Sequence, residues 1–266
     1  MQRHLATRTS VRVVIFFSVL PFLYMLIVSN WKAYVESTTK SKALYAIAKK
    51  GASGRKHTLV LLVPAPYLGL LAAPKQQVLL GAQDISVTLG GATTGEVTAG
   101  LVAELGAQFV LVGHSERRAM GEQDETILEK TKHALAHGLT PILCVGERER
   151  DLDAKYLKEV RTQLASVFSS LTKKECAQMI VAYEPLWAIG KTALDAITPE
   201  DLREMVLYIR KVLTDYLPGR VRVLYGGSTE AENVSMLAQG SEIDGFLIGH
   251  ASADQVSYAA LLKALA

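Results

Sequence analysis

Polar residues suited to acid–base and anion chemistry recur in this sequence immediately after short apolar runs. Val28-Ser29-Asn30-Trp31-Lys32 closes the first run, and the two-residue repeat of a strand sets Asn30 and Lys32 on one side. Val112-Gly113-His114-Ser115-Glu116-Arg117-Arg118 closes another and delivers an imidazole within a cluster of charges. Ala182-Tyr183-Glu184-Pro185-Leu186-Trp187-Ala188-Ile189-Gly190 puts a carboxylate at a run's end beneath an apolar segment, where a desolvated carboxylate is the stronger base. Two later runs lead into Tyr225-Gly226-Gly227-Ser228-Thr229 and Leu247-Ile248-Gly249-His250-Ala251-Ser252. Their glycines let backbone amides approach an anion closely, and a helix start behind them adds unpaired donors. Together these strings spell proton transfer beside a bound phosphate.

Read singly, each has a plainer account. Lys32 is a solvated loop charge, His114 a surface histidine, Glu184 a carboxylate capping a turn, and the glycine pairs tight turns. What separates the readings is whether one fold brings all of the run ends together.

The apolar runs number eight, near Leu26 to Asn30, Thr58 to Val63, Val78 to Gln83, Phe109 to Gly113, Pro141 to Val145, Ile180 to Glu184, Arg222 to Tyr225 and Gly245 to Ile248. Stretches of helical period lie between them, such as Thr126 to His137 and Leu152 to Phe168. The sharpest helix start is at Thr198, where a Thr cap precedes Pro199, Glu200 and Asp201. Runs apolar on both faces suit parallel strands covered by helices. Eight strand–helix units over residues 25–266 predict one α/β domain, a closed (β/α)8 barrel, in preference to an open doubly wound sheet. No G-x-G-x-x-G turn follows the first strand. In such a barrel the strand ends form the active site, and the loops after the seventh and eighth strands are frequent phosphate sites.

Composition narrows the partners. Of 266 residues 49% are apolar and 21% charged, enough for a sizeable core. The formal charge of +3 comes from Arg3, Arg8 and Arg12 in an acid-free segment 1–24; the rest balances, which disfavours a nucleic-acid partner. The only cysteines, Cys144 in a strand and Cys176 at a predicted helix entry, cannot frame a fold of this size, so a reducing cytoplasm is expected. The run Val13 to Val28 follows three arginines as in a secretory signal. However, no small-x-small cleavage site follows, Ser18 and Pro21 interrupt it, and the first strand claims its end. Residues 1–24 are therefore expected to be an extension outside the fold, with Met25 a possible start, and membrane contact through them is not expected. An anchor and an arm packed on the barrel are the alternatives.

In sequence order the motifs Ser-Asn-Trp-Lys (29–32), Gly-Ala-Gln-Asp (81–84), Gly-Ala-Thr-Thr-Gly-Glu-Val (91–97), Val-Gly-His-Ser-Glu-Arg-Arg (112–118) and Cys-Val-Gly-Glu (144–147) resemble the triosephosphate isomerase family. So do the strings at 182–190 and 225–228 and Asp-Gly-Phe-Leu-Ile-Gly at 244–249, and the likeness covers about nine tenths of the chain. The resemblance implies interconversion of dihydroxyacetone phosphate and D-glyceraldehyde 3-phosphate through an enediol(ate), with no cofactor and no metal. It implies Glu184 as base, neutral His114 as electrophile, Lys32 as positive charge, Asn30 as orienting group and Glu116 as partner of Lys32. Gly190, Ser228, Gly249 and the residue after it, His250, would bind phosphate, and Pro185 to about Ala193 would form a lid. It further implies a homodimer in which Thr94 tips a loop inserted into the neighbour and Glu96 pairs with the neighbour's Arg117.

Three departures from the family pattern stand in the sequence. Lys191-Thr192-Ala193-Leu194-Asp195-Ala196-Ile197 alters the lid's second hinge, His250 replaces a glycine, and Tyr34 stands where Asn is common. At His250 the expected arrangement keeps the backbone donor and turns the imidazole outward. Rival readings are another phosphate-binding barrel isomerase or aldolase, and a non-catalytic barrel serving as a binding scaffold.

Overall fold

Eight parallel strands, each paired with the next in sequence and the last with the first, close into a barrel. A computed structural model describes residues 25–53, 57–73, 76–151, 153–191 and 197–265; the expectations for residues 1–24 and for the second lid hinge lie outside the described residues. The strands are β1 (Leu26–Asn30), β2 (Thr58–Val63), β3 (Leu79–Ala82), β4 (Phe109–Val112), β5 (Thr140–Val145), β6 (Ile180–Tyr183), β7 (Arg222–Tyr225) and β8 (Gly245–Ile248). Around them run α1 (Thr38–Ala52), α2 (Leu68–Leu71), α3 (Ala99–Glu104), α4 (Ser115–Ala119), α5 (Asp124–Ala136), α6 (Lys155–Phe168), α7 (Lys173–Cys176), α8 (Pro199–Leu213), α9 (Val234–Gly240) and α10 (Gln255–Ala264).

Strand alternation splits the core into two layers. Leu26, Val28, Val60, Leu62, Leu111, Ile142, Cys144, Ile180, Ala182, Leu224 and Leu247 form the barrel's interior cluster, while Ile27, Leu59, Leu61, Val63, Val181 and Val223 pack outward under the helices. This is why the strands read as continuous apolar runs. Gly245 closes the barrel at positive φ; a Cβ there would lie 1.9 Å from the Leu26 carbonyl oxygen.

Three predicted runs, β3, β4 and β6, end one residue early, because Gln83, Gly113 and Glu184 already belong to the functional loops. The Thr198 cap forms as predicted, its hydroxyl accepting from the Asp201 N–H. Cys176 corrects an expectation: it ends the four-residue α7, whose capping box belongs to Thr172 and Glu175. Among the described residues no helix is long and apolar enough to cross a membrane.

Candidate active site

The inward register delivers the site. Two residues beyond inward-facing Val28, Ala182, Leu224 and Leu247 come Asn30, Glu184, Gly226 and Gly249, and all four line one cavity of about 370 Å³ at the barrel mouth. Asn30 and Glu184 are each 3% exposed. Glu184 fits only because its neighbours lack side chains. A Cβ on Gly226 would lie 2.6 Å from the Glu184 Cγ, and one on Gly146 would lie 2.0 Å from the Glu184 carbonyl oxygen. Cys144 sits in the interior layer beside this carboxylate; burial, and then the Glu184 charge, push its thiol well above the usual range, so it stays a neutral packing group.

His114 and Lys32 arrive by turns, not by alternation. Gly113 takes φ +66°, where a Cβ would also crowd Ile127 and Arg118, and this turn aims His114 into the mouth. Lys32 lies beyond β1 at φ +47°, a left-handed conformation that costs a lysine on the order of 1–2 kcal/mol. The expected strand alternation of Asn30 and Lys32 therefore does not hold, although both side chains still reach the cavity. The turn is fixed by the Lys32 N–H donating to Asn30 Oδ1 (3.1 Å) and by Gln83 Nε2 donating to the Lys32 carbonyl (2.9 Å).

His114 caps α4: its Nδ1 accepts from the Glu116 N–H at 3.2 Å. A nitrogen that accepts carries no proton, so a neutral ring holds its proton on Nε2. That nitrogen lies 3.3 Å from Glu184 Oε1, while the Ser115 N–H donates to Glu184 Oε2 at 3.4 Å. A carboxylate and an imidazole N–H thus face each other in a nearly closed space. Lys32 Nζ pairs with Glu116 at 2.7 Å, as expected from the sequence.

Another part of the cavity lining is rich in main chain. Gly190 at φ +71°, Gly227, Ser228 and Gly249 line it, and the Lys191 N–H donates to Ser228 Oγ at 3.1 Å. His250 follows Gly249 with its side chain exposed, its ring edge-on to Tyr34. Thr94 and Glu96, by contrast, stand on a loop remote from this cavity, and Arg117 pairs within the chain with Asp84 (3.1 Å) and Glu122 (3.2 Å).

Sequence reasoning assigned no role to Glu147. Fully buried, its Oε1 accepts from Tyr183 Oη and Trp187 Nε1, both at 2.8 Å, and its carbonyl accepts from the Leu186 N–H. It tethers the segment after Glu184, and burial together with the Glu147 charge pushes the Tyr183 phenol far up, keeping it a donor. The signal was present in the Cys-Val-Gly-Glu string, but a glutamate two residues past a strand discloses no partner until β6 lies beside β5.

Fold and site together define a class: a (β/α)8-barrel protein whose mouth sets a buried carboxylate against an imidazole beside a glycine-rich stretch of the same cavity. Residues 25–265 match the family model described as Triosephosphate isomerase. The chain is 39% identical to a triosephosphate isomerase of Herminiimonas arsenicoxydans over 90% of this chain and 98% of that one. It is likewise 39% identical to that of Cupriavidus necator over 89% and 97% of the two chains, and 38% identical to that of Geobacter metallireducens over 90% and 97%. The chain belongs to the triosephosphate isomerase family.

Proposed function

We propose that this chain interconverts dihydroxyacetone phosphate and D-glyceraldehyde 3-phosphate, as an enzyme of glycolysis and gluconeogenesis. The observation that carries the reading is the 3.3 Å approach of His114 Nε2 to Glu184 inside the barrel mouth. With substrate bound in the cavity against both groups, the Glu184 carboxylate turns from its contact with His114 and takes a proton from the carbon next to the carbonyl. The electron pair of that C–H bond forms the enediolate C=C bond, and the carbonyl π pair moves onto oxygen. The His114 N–H donates to that oxygen, and the Lys32 ammonium adds positive charge as the negative charge develops. Glu184 then returns the proton to the neighbouring carbon while a proton passes between the two oxygens. Asn30 orients the substrate oxygens, and Glu116 holds Lys32 in place.

Amides around Gly190, Ser228, Gly249 and His250 bind the phosphate, and the segment from Pro185 onward closes over the substrate to exclude water. None of these steps calls for a metal or a cofactor. A coupled assay on both triose phosphates tests the reading. Turnover in each direction is expected, and its absence from the folded protein would refute it, leaving the scaffold alternative.

The functional unit is a homodimer of a cytoplasmic protein. Val87, Leu89 and Met120, exposed by 42%, 70% and 77%, cluster by sequence around the loop carrying Thr94 and Glu96 and around Arg117, and a second copy would cover them. On this reading Glu96 pairs with the neighbour's Arg117.

A further inference from the structure

Tyr34, Glu230 and the imidazole of His250 take no part in the chemistry above, yet all three residues line the phosphate end of the cavity, from the loops after β1, β7 and β8. Tyr34 and His250 meet edge to face, their centroids 5.6 Å apart and their planes at 88°. The contact parks the imidazole at the rim, one residue past Gly249, beside which the end of the Lys32 side chain passes. Glu230 is the anomaly. A carboxylate lining a pocket for a phosphate repels the ligand that the pocket is built to hold. Its backbone position is fixed, the N–H donating to Asn233 Oδ1 at 2.9 Å and the carbonyl accepting from the Val234 N–H. Burial raises the pKa of its carboxyl, while the His250 charge pulls it down and Glu232 pushes it up.

We propose that His250, held by Tyr34, is the counter-charge of Glu230, so that its imidazolium cancels the carboxylate's field at the phosphate while backbone amides make the direct contacts. Phosphate affinity then depends on the protonation of His250, and the ring that looks idle in the sequence becomes a determinant of substrate binding. The charged and titratable groups around this corner are Lys32 and Tyr34 after β1, Lys40 of α1, whose ammonium donates to the Tyr34 carbonyl at 2.8 Å, Lys191 on the lid, Glu230 and Glu232 after β7, and Asp254, which caps α10. Lysine, tyrosine and aspartate side chains ordinarily keep one charge state between about pH 6 and 8, whereas imidazole and phosphate as chemical groups ordinarily change theirs there.

The proposal rests on reading this corner as the phosphate site, and competition by inorganic phosphate separates the two. Inhibition constants are measured for the wild type, His250→Gly, Glu230→Gln and the double variant, at about pH 6 and about pH 8, and corrected for phosphate ionisation. At the lower pH, His250→Gly weakens inhibition about three- to tenfold, Glu230→Gln strengthens it by a similar factor, and the double variant returns to within about twofold of wild type. At the higher pH the effect of His250→Gly fades. His250→Asn, which keeps a side chain against Tyr34, reproduces the result should glycine loosen the turn. Parallel pH profiles in the wild type and both His250 variants, or an unchanged constant in Glu230→Gln, would overturn the counter-charge alone. Wild-type protein that phosphate does not inhibit would overturn the phosphate site with it.

Discussion

Glu184→Gln isolates the base from the fold. The two side chains match in volume, so the 3%-exposed pocket formed by Gly226 and Gly146 stays filled. What changes is acceptor capacity. The carboxylate presents one oxygen to His114 Nε2 at 3.3 Å and the other to the Ser115 N–H at 3.4 Å, whereas an amide has a single oxygen for the two donors. One donor loses its acceptor, and at these long distances the loss amounts to about 0.5–1.5 kcal/mol. In a domain of this size that lowers Tm by about 1–6 °C, so the variant folds. Turnover is a different matter, because a Gln amide cannot take the proton. General-base catalysis is ordinarily worth about 10²- to 10⁴-fold, or roughly 3–5.5 kcal/mol of barrier, and kcat falls by that factor. Most of the phosphate corner lies on the loops after β7 and β8, and Gly190 stands six residues beyond Glu184, so KM changes by less than about threefold. The coupled assay measures both constants, with mass spectrometry excluding contaminating wild type. A kcat within tenfold of wild type would remove Glu184 from the role of base.

Lys130→Met tests the acid cluster beneath the loop after β4, because Lys130, 3% exposed, pairs with Asp84 and Glu122, each at 2.7 Å. Stranding two carboxylates, with only Arg117 left beside them, costs about 3–5 kcal/mol, and Tm drops by about 6–20 °C in a thermal melt. Leu89→Asp places a charge on a side chain 70% exposed, so it spares the monomer's fold and shifts the species seen by light scattering from dimer to monomer. Gly146→Ala drives a methyl into the Glu184 carbonyl, and kcat falls about 100-fold for a displacement of about 1 Å while the far-UV spectrum is kept. Deleting residues 1–24 leaves isomerase activity intact and raises solubility; loss of folding in the truncated protein would instead make them a packed arm.

How far the sequence discloses this site depends on whether a residue acts through its own strand or through a neighbour's. Asn30 and Glu184 were legible because period-2 alternation carries straight from the buried strand to the mouth, and a strand's apolar run marks its own end. His114 and Lys32 stand just past strand ends in the sequence and both line the cavity, but backbone turns at Gly113 and at Lys32 itself aim them. A string of letters does not reveal a positive φ at a lysine, since the Asn30 and Gln83 bonds that hold it come from two different strand ends. Glu147 went unassigned because its meaning lies wholly in the β5–β6 pairing, which brings Tyr183 level with Val145 and so sets its hydroxyl and the Trp187 indole on one buried oxygen. Glycine shows the same division. Gly226 reads in the sequence as an amide offered to phosphate, yet its N–H donates to the Tyr183 carbonyl at 2.8 Å and its missing Cβ clears space for the Glu184 Cγ, so a substitution there strikes the base. Ser228, whose hydroxyl meets the lid at Lys191 and whose backbone N–H is aimed at the Ala188 carbonyl, reports on lid and phosphate without touching the proton-transfer couple.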